Sequence, residues 1–81
     1  MTGKQIFQSV VKDKNFPTVL GYYKIKCGAV ELSMGRGFYG GYVYYVSVVK
    51  NNLHDHNLGK CFHSEVKARA YIKKLNTCNF N

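Results

Sequence analysis

The chain has 81 residues, 46% of them apolar and 15% aromatic, with a single proline; this excludes a disordered tail and leaves room for one small domain with its own core. Twelve Lys and Arg against four acids give a net charge of +8. Self-repulsion of that size opposes compaction, so the excess points to a polyanionic partner: nucleic acid, an acidic protein face or an anionic membrane surface.

The first segment, residues 2–14, carries Ile6, Phe7, Val10 and Val11 on one helical face, and Thr2 with Gln5 has the form of a capping box. A short N-terminal helix is predicted. Phe16 precedes Pro17 and is pushed out of the helical region, which ends it. From Gly21 the hydrophobic period changes to two. Residues 22–26 and 29–34 alternate, and Cys27-Gly28 between them suits a tight hairpin turn. Val30, Leu32 and Met34 are expected to face the core, Glu31 and Ser33 to face water.

Residues 35–41 form a glycine-rich connection, and residues 42–49, almost wholly β-branched or aromatic, give the strongest strand signal. Lys50-Asn51-Asn52 should end that strand. A polar loop through Asn57 and a return strand over residues 58–62 are expected to follow. The last element is a helix. Ser64 is a good N-cap, Glu65 suits the positive first turn, and Ala68, Tyr71, Ile72 and Leu75 make an inward stripe. Lys73 and Lys74 would then load its C-terminal end and Asn76 would stop it. The order α-β-β-β-β-α predicts an α+β fold: an antiparallel sheet of three or four strands, with the C-terminal helix and a short N-terminal helix packed on one face.

Leu58-Gly59 followed by Ala68-Arg69-Ala70-Tyr71, with Glu65 between them, resembles the plant AP2/ERF domain and the related arm-binding modules of phage integrases. In that family a three-stranded sheet precedes a helix, and the sheet enters the DNA major groove. The resemblance covers residues 42–75, with Cys61 where the family usually has Phe and Phe62 one residue late. It implies that Tyr42, Tyr44, Lys24 and Lys26 lie nearer the DNA than Lys73 does. Arg36-Gly37-Phe38 and Gly41-Tyr42-Val43-Tyr44-Tyr45 also look like the aromatic strand of an RNA-recognition motif, split by Tyr39-Gly40. In a loop, Arg36, Phe38 and Tyr39 can stack on single-stranded bases.

His54, His56, Cys61 and His63 form a second constellation. Two i, i+2 pairs on facing strands could hold zinc tetrahedrally, whereas in a polar loop with Asn51, Asn52 and Asn57 they would simply be solvated. The Cys-x-x-Cys knuckle is missing, and no metal or other cofactor is expected. Nor is catalysis expected. No two carboxylates are spaced as an acid/base pair, Cys61 and His63 are wrongly placed on a strand for a nucleophile pair, and Gly35-x-Gly37 lacks the Lys-Ser/Thr of a phosphate loop. Cys27, Cys61 and Cys78 are odd in number and without framework spacing, which fits reduced thiols in a cytoplasm. Cys27 and Cys78 suit small apolar fillers. No apolar run approaches the roughly 20 residues of a membrane span, and the start lacks the apolar stretch of a signal peptide.

The reading is a non-catalytic nucleic-acid-binding module, for DNA before RNA, acting as a monomer or homodimer. Lys24, Lys26, Arg36, Lys50, Lys60, Lys67, Arg69, Lys73 and Lys74 would contact phosphate, and Phe38, Tyr39, Tyr42 and Tyr44 would stack. The alternative starts from a likeness to the small accessory proteins of bacteriophages. On that reading the basic, Tyr-rich surface docks on an acidic face of a host protein in the host cytoplasm.

Overall fold

The computed structural model describes residues 2–11, 18–25, 28–37 and 39–78, without the side chains of 76–78. Among these residues two helices and four strands follow one another as α1 (Gly3–Val10), β1 (Thr18–Ile25), β2 (Gly28–Arg36), β3 (Tyr42–Lys50), β4 (Leu53–Phe62) and α2 (Glu65–Cys78). The strands form one antiparallel sheet in the order β1-β2-β3-β4, so each pairs with its chain neighbour. This is the expected α+β architecture.

The helices, however, do not share a face. Val30 and Leu32 of β2 and Val46 and Val48 of β3 pack with Ala68, Ile72 and Leu75 of α2. Their neighbours one residue along, Ala29 and Val49, pack instead with Phe7 of α1. Side chains alternate across a strand, so α1 and α2 cover opposite faces. The near-continuous apolar run of β3 is what two-sided burial requires. The same arrangement corrects the expectation for Ser33: it lies on the α1 side and is 0% exposed, not turned to water.

Each turn and cap has a local cause. The capping box of α1 is present, with Gln5 N donating to Thr2 Oγ1 at 3.2 Å and Thr2 N to Gln5 Oε1 at 2.8 Å. Gly28 is required by close approach. A β-carbon there would stand 1.7 Å from the Val49 carbonyl oxygen, so the β3 backbone occupies the space a side chain needs. It pairs with Ile25 and begins β2, so it is a strand residue and not half of the expected turn; Cys27, the other half, lies outside the described residues.

Asn51 and Asn52 both have positive φ, 54° and 63°, and join β3 to β4 in two residues. That is the hairpin geometry whose twist matches the strands, and Asn tolerates it. The expected polar loop is therefore the first half of β4. The interruption comes later: Val48 pairs with Asp55, but Val46 pairs with Lys60, so residues 56–59 bulge outward. Asp55 Oδ1 holds the bulge by accepting from Asn57 N at 2.9 Å and Leu58 N at 3.1 Å. Tyr71 of α2 donates its hydroxyl to the Leu58 carbonyl at 2.6 Å. Asn76 does not stop α2, which continues to Cys78, so Lys73 and Lys74 sit before its last turn.

Candidate nucleic-acid interface

The register sorts the cations. Arg36 pairs with Tyr42, and Lys60 with Val46, at positions of the same parity as Val30 and Leu32. Both side chains therefore belong to the α2 side of the sheet. Lys50, opposite Gly28, has the same parity. On α2 itself, Lys67, Arg69, Lys73 and Lys74 are all exposed. Helical spacing places Arg69 and Lys73 on the flank toward β1, and Lys67 and Lys74 on the flank toward β4. Between the two rows runs an outer ridge containing Val66, which is 78% exposed, and Ala70. The helix has 14 residues, so the ridge extends roughly 20 Å.

Among the described residues, the acids on this side are already engaged. Glu65 Oε2 lies 3.2 Å from Arg69 Nε, an exposed i, i+4 pair, and Asp55 caps the β4 bulge. On the α1 side Glu31 takes part in a different network. It hydrogen-bonds the Tyr22 hydroxyl, whose pKa is raised first by burial and then by that bond.

Contacts fix several site residues. Lys60 Nζ stands 5.2 Å from the centroid of the Tyr71 ring, a cation–π distance. Phe62 and Tyr71 are 5.4 Å apart, which ties the end of β4 to α2. Burial raises the pKa of Tyr71, with the Asp55 charge adding to the effect. Arg69 Nη1 donates to the Tyr23 hydroxyl at 2.5 Å, so this cation is anchored against β1.

The rings are distributed unevenly. Tyr39 is fully exposed at the tip of the β2–β3 hairpin and Tyr42 is 54% exposed, whereas Tyr44 is half-buried against the α2 core. Register explains the difference, since Tyr44 lies opposite Phe62 under α2 while Tyr42 is beyond the end of that pairing. Gly37 N donates to Gly41 O at 2.7 Å to close the tip, and Gly40 has φ 86°. A hollow of about 300 Å³ there is lined by Gly37, Tyr39, Gly41, Val43 and His63. Its volume is at the lower end of ligand pockets. Lys26 and Phe38 lie outside the described residues.

Lys24 is separate from the main group. It pairs with Ala29, giving it the α1-side parity, and it is exposed on the edge strand. The sheet-first contact implied by the AP2/ERF resemblance would need a bare, basic sheet face. α2 covers one face, and the other carries α1, Ser33 and Glu31.

The four candidate zinc ligands are not assembled. His54 and His56 have ring centroids 4.2 Å apart, but His54 pairs with Val49 and Cys61 with Tyr45. Four residues along β3 separate those positions by roughly 13 Å, several times the reach of a shared metal. Among the described residues no group of three or more His, Cys, Asp or Glu could hold a metal ion. His54 has its pKa lowered, chiefly by burial and then by His56. Cys61 is an exposed free thiol. Among the described residues no helix is long and apolar enough to cross a membrane.

Residue-by-residue reading passes over Tyr23 and Val66, whose importance comes from the position of α2, and considers His63 only as a metal ligand or as the partner of Cys61 in a nucleophile pair. Their signals were present: Val66 opens the exposed side of an amphipathic helix, and Tyr23 alternates with Ile25.

Comparison with known proteins finds no family model, no curated protein and no solved structure that matches the chain.

Proposed function

We infer that the protein binds nucleic acid without catalysing a reaction, through the α2 side of the sheet rather than through a bare sheet face. The supporting observation is the segregation of charge: Arg36, Lys50, Lys60, Lys67, Arg69, Lys73 and Lys74 share the α2 side, where Glu65 and Asp55 are already engaged. Two rows of cations flank a helix about 20 Å long, and a helix roughly 10–12 Å across fits a major groove about 12 Å wide, with phosphates on either side. Between them, Val66 and Ala70 can meet base edges by apolar contact. Tyr39 and Tyr42, at the sheet end where α2 begins, can stack on unpaired bases, and DNA is favoured over RNA as the partner.

The test is fluorescence anisotropy with a labelled DNA duplex and a labelled oligothymidylate at about 50 mM salt, where phosphate contacts are strong. Saturable binding to either is expected. Tyr42→Ala should weaken the single-strand complex by roughly tenfold, consistent with one lost stacking contact. Absence of binding to both probes would overturn the reading.

A further inference from the structure

A groove of about 350 Å³ runs beside the outer edge of β1, lined by Tyr23, Lys24 and Ile25 of that strand and by Arg69, Ile72 and Lys73 of α2. We propose that this groove receives an extended peptide with acidic side chains, which adds to the sheet as a fifth strand next to β1.

Three observations converge on that occupant. First, β1 is an outer strand of the described sheet, so alternate N–H and C=O groups along Thr18–Ile25 point away from β2 and can pair with an incoming main chain. The lining includes three consecutive β1 residues, so the groove follows the strand itself and not one face of it. Second, Ile25 and Ile72 are 3% and 5% exposed and form an apolar floor. Third, the rim is cationic. Lys24 is exposed at the edge, and Lys73 and Arg69 stand on the helix wall; Arg69 is held in place by Tyr23 and paired with Glu65, so the excess positive charge of the rim comes from Lys24 and Lys73.

Each feature has a counterpart in an acidic peptide. Residues facing the α2 side would bury apolar side chains against Ile25 and Ile72. Their neighbours would place carboxylates near Lys24, and a terminal or side-chain carboxylate would meet Arg69 and Lys73. Nucleic acid meets only the last requirement, because a sugar-phosphate backbone cannot continue a β-ladder. The groove shares Arg69 and Lys73 with the surface proposed to contact phosphate, but its β1 edge, Lys24 and the Ile25–Ile72 floor lie outside that surface, so shifts of the β1 amides report on the groove alone.

The test uses the full chain labelled with ¹⁵N and three probes: a peptide the length of β1 with alternating valine and glutamate, its valine–lysine counterpart, and oligothymidylate. The acidic peptide should shift the amide signals of β1 and of Arg69, Ile72 and Lys73 at concentrations up to about 1 mM, the weak end of specific binding. The valine–lysine peptide should leave them unmoved. N-methylation of the acidic peptide at alternate residues should abolish binding in one phase and spare it in the other, the signature of one-sided main-chain pairing. Lys24→Glu and Lys73→Glu should each weaken binding by roughly tenfold. Signals of β1 unmoved by the acidic peptide, or equal tolerance of both methylation phases, would overturn the proposal. Oligothymidylate shifting the same β1 signals would reassign the groove to nucleic acid. The peptide, methylation and oligothymidylate readings come from the unsubstituted chain, so misfolding of a variant cannot imitate them.

Discussion

Replacing Gly28 with alanine tests the core of the sheet most severely. The added β-carbon would lie 1.7 Å from the Val49 carbonyl oxygen, 2.7 Å from its carbonyl carbon and 3.0 Å from the Lys50 Cα. Every one of these atoms is backbone, so no rotamer change relieves the contact. The strands must separate by at least 1.3 Å to move the oxygen from 1.7 Å to the 3.0 Å that real contacts respect. A ladder hydrogen bond of about 2.9 Å stretched by that much no longer counts as one. Loss of about two such bonds at roughly 1 kcal/mol each, with some overpacking strain, makes the cost about 2–4 kcal/mol. For 81 residues the whole stability is about 4–12 kcal/mol. Urea unfolding followed by tyrosine fluorescence or circular dichroism should therefore show a midpoint lower by roughly 2–4 M, at a slope of about 1 kcal/mol per M. Gly41→Ala is the control, since no atom lies within 4 Å of its β-carbon. It should shift stability by no more than about 0.5 kcal/mol. A Gly28→Ala midpoint equal to that of the parent would show that β3 does not pass where the structure places it.

Ser33 Oγ is buried without a hydrogen-bond partner among the described residues, so Ser33→Ala should leave the urea midpoint unchanged or raise it; a clear drop would reveal a partner for the hydroxyl. Tyr71→Phe deletes the 2.6 Å bond to Leu58 and should cost about 1 kcal/mol by the same assay, with little change in far-ultraviolet dichroism. His54 has its pKa lowered from 6.5 by burial and by His56. The unfolded chain therefore takes up that proton first as the pH drops below 6.5. Stability from this group is intact above that pH and lost as pH falls toward the folded-state value. The urea midpoint should decline on acidification below pH 6.5, and His54→Asn should flatten that decline.

Elements with dense local signals were legible in the sequence. The capping residues of α1 and the Ala68, Tyr71, Ile72 and Leu75 stripe of α2 each name their own structure. β3 was found from composition, yet its continuous apolar run also carried an unused message, that both faces are covered. Asn51-Asn52 had the composition of a two-residue hairpin, but the polar residues after it suggested a loop. The bulge at 56–59 depends on Asp55 capping amides two and three residues ahead and on Tyr71 reaching from another element, which no linear pattern displays. Gly28 looked like a turn glycine, because close approach by a distant strand leaves no local trace. For the site, the charges could be named from sequence, but their grouping depended on register. A one-residue difference puts Tyr42 in solvent and Val43 in the interior, and only the pairing tells which.

The central claim, that phosphates settle on the α2 side of the sheet, is tested most directly by the salt dependence of duplex DNA binding. Titrations between about 50 and 200 mM salt should give a steep linear log–log plot, with each contact contributing a slope of about −0.9. Lys67→Gln should weaken binding to all sequences alike and make the slope shallower by about 1, whereas Lys4→Gln, on α1, should leave it unchanged. A slope near zero, or one that responds to Lys4 and not to Lys67, would contradict the account.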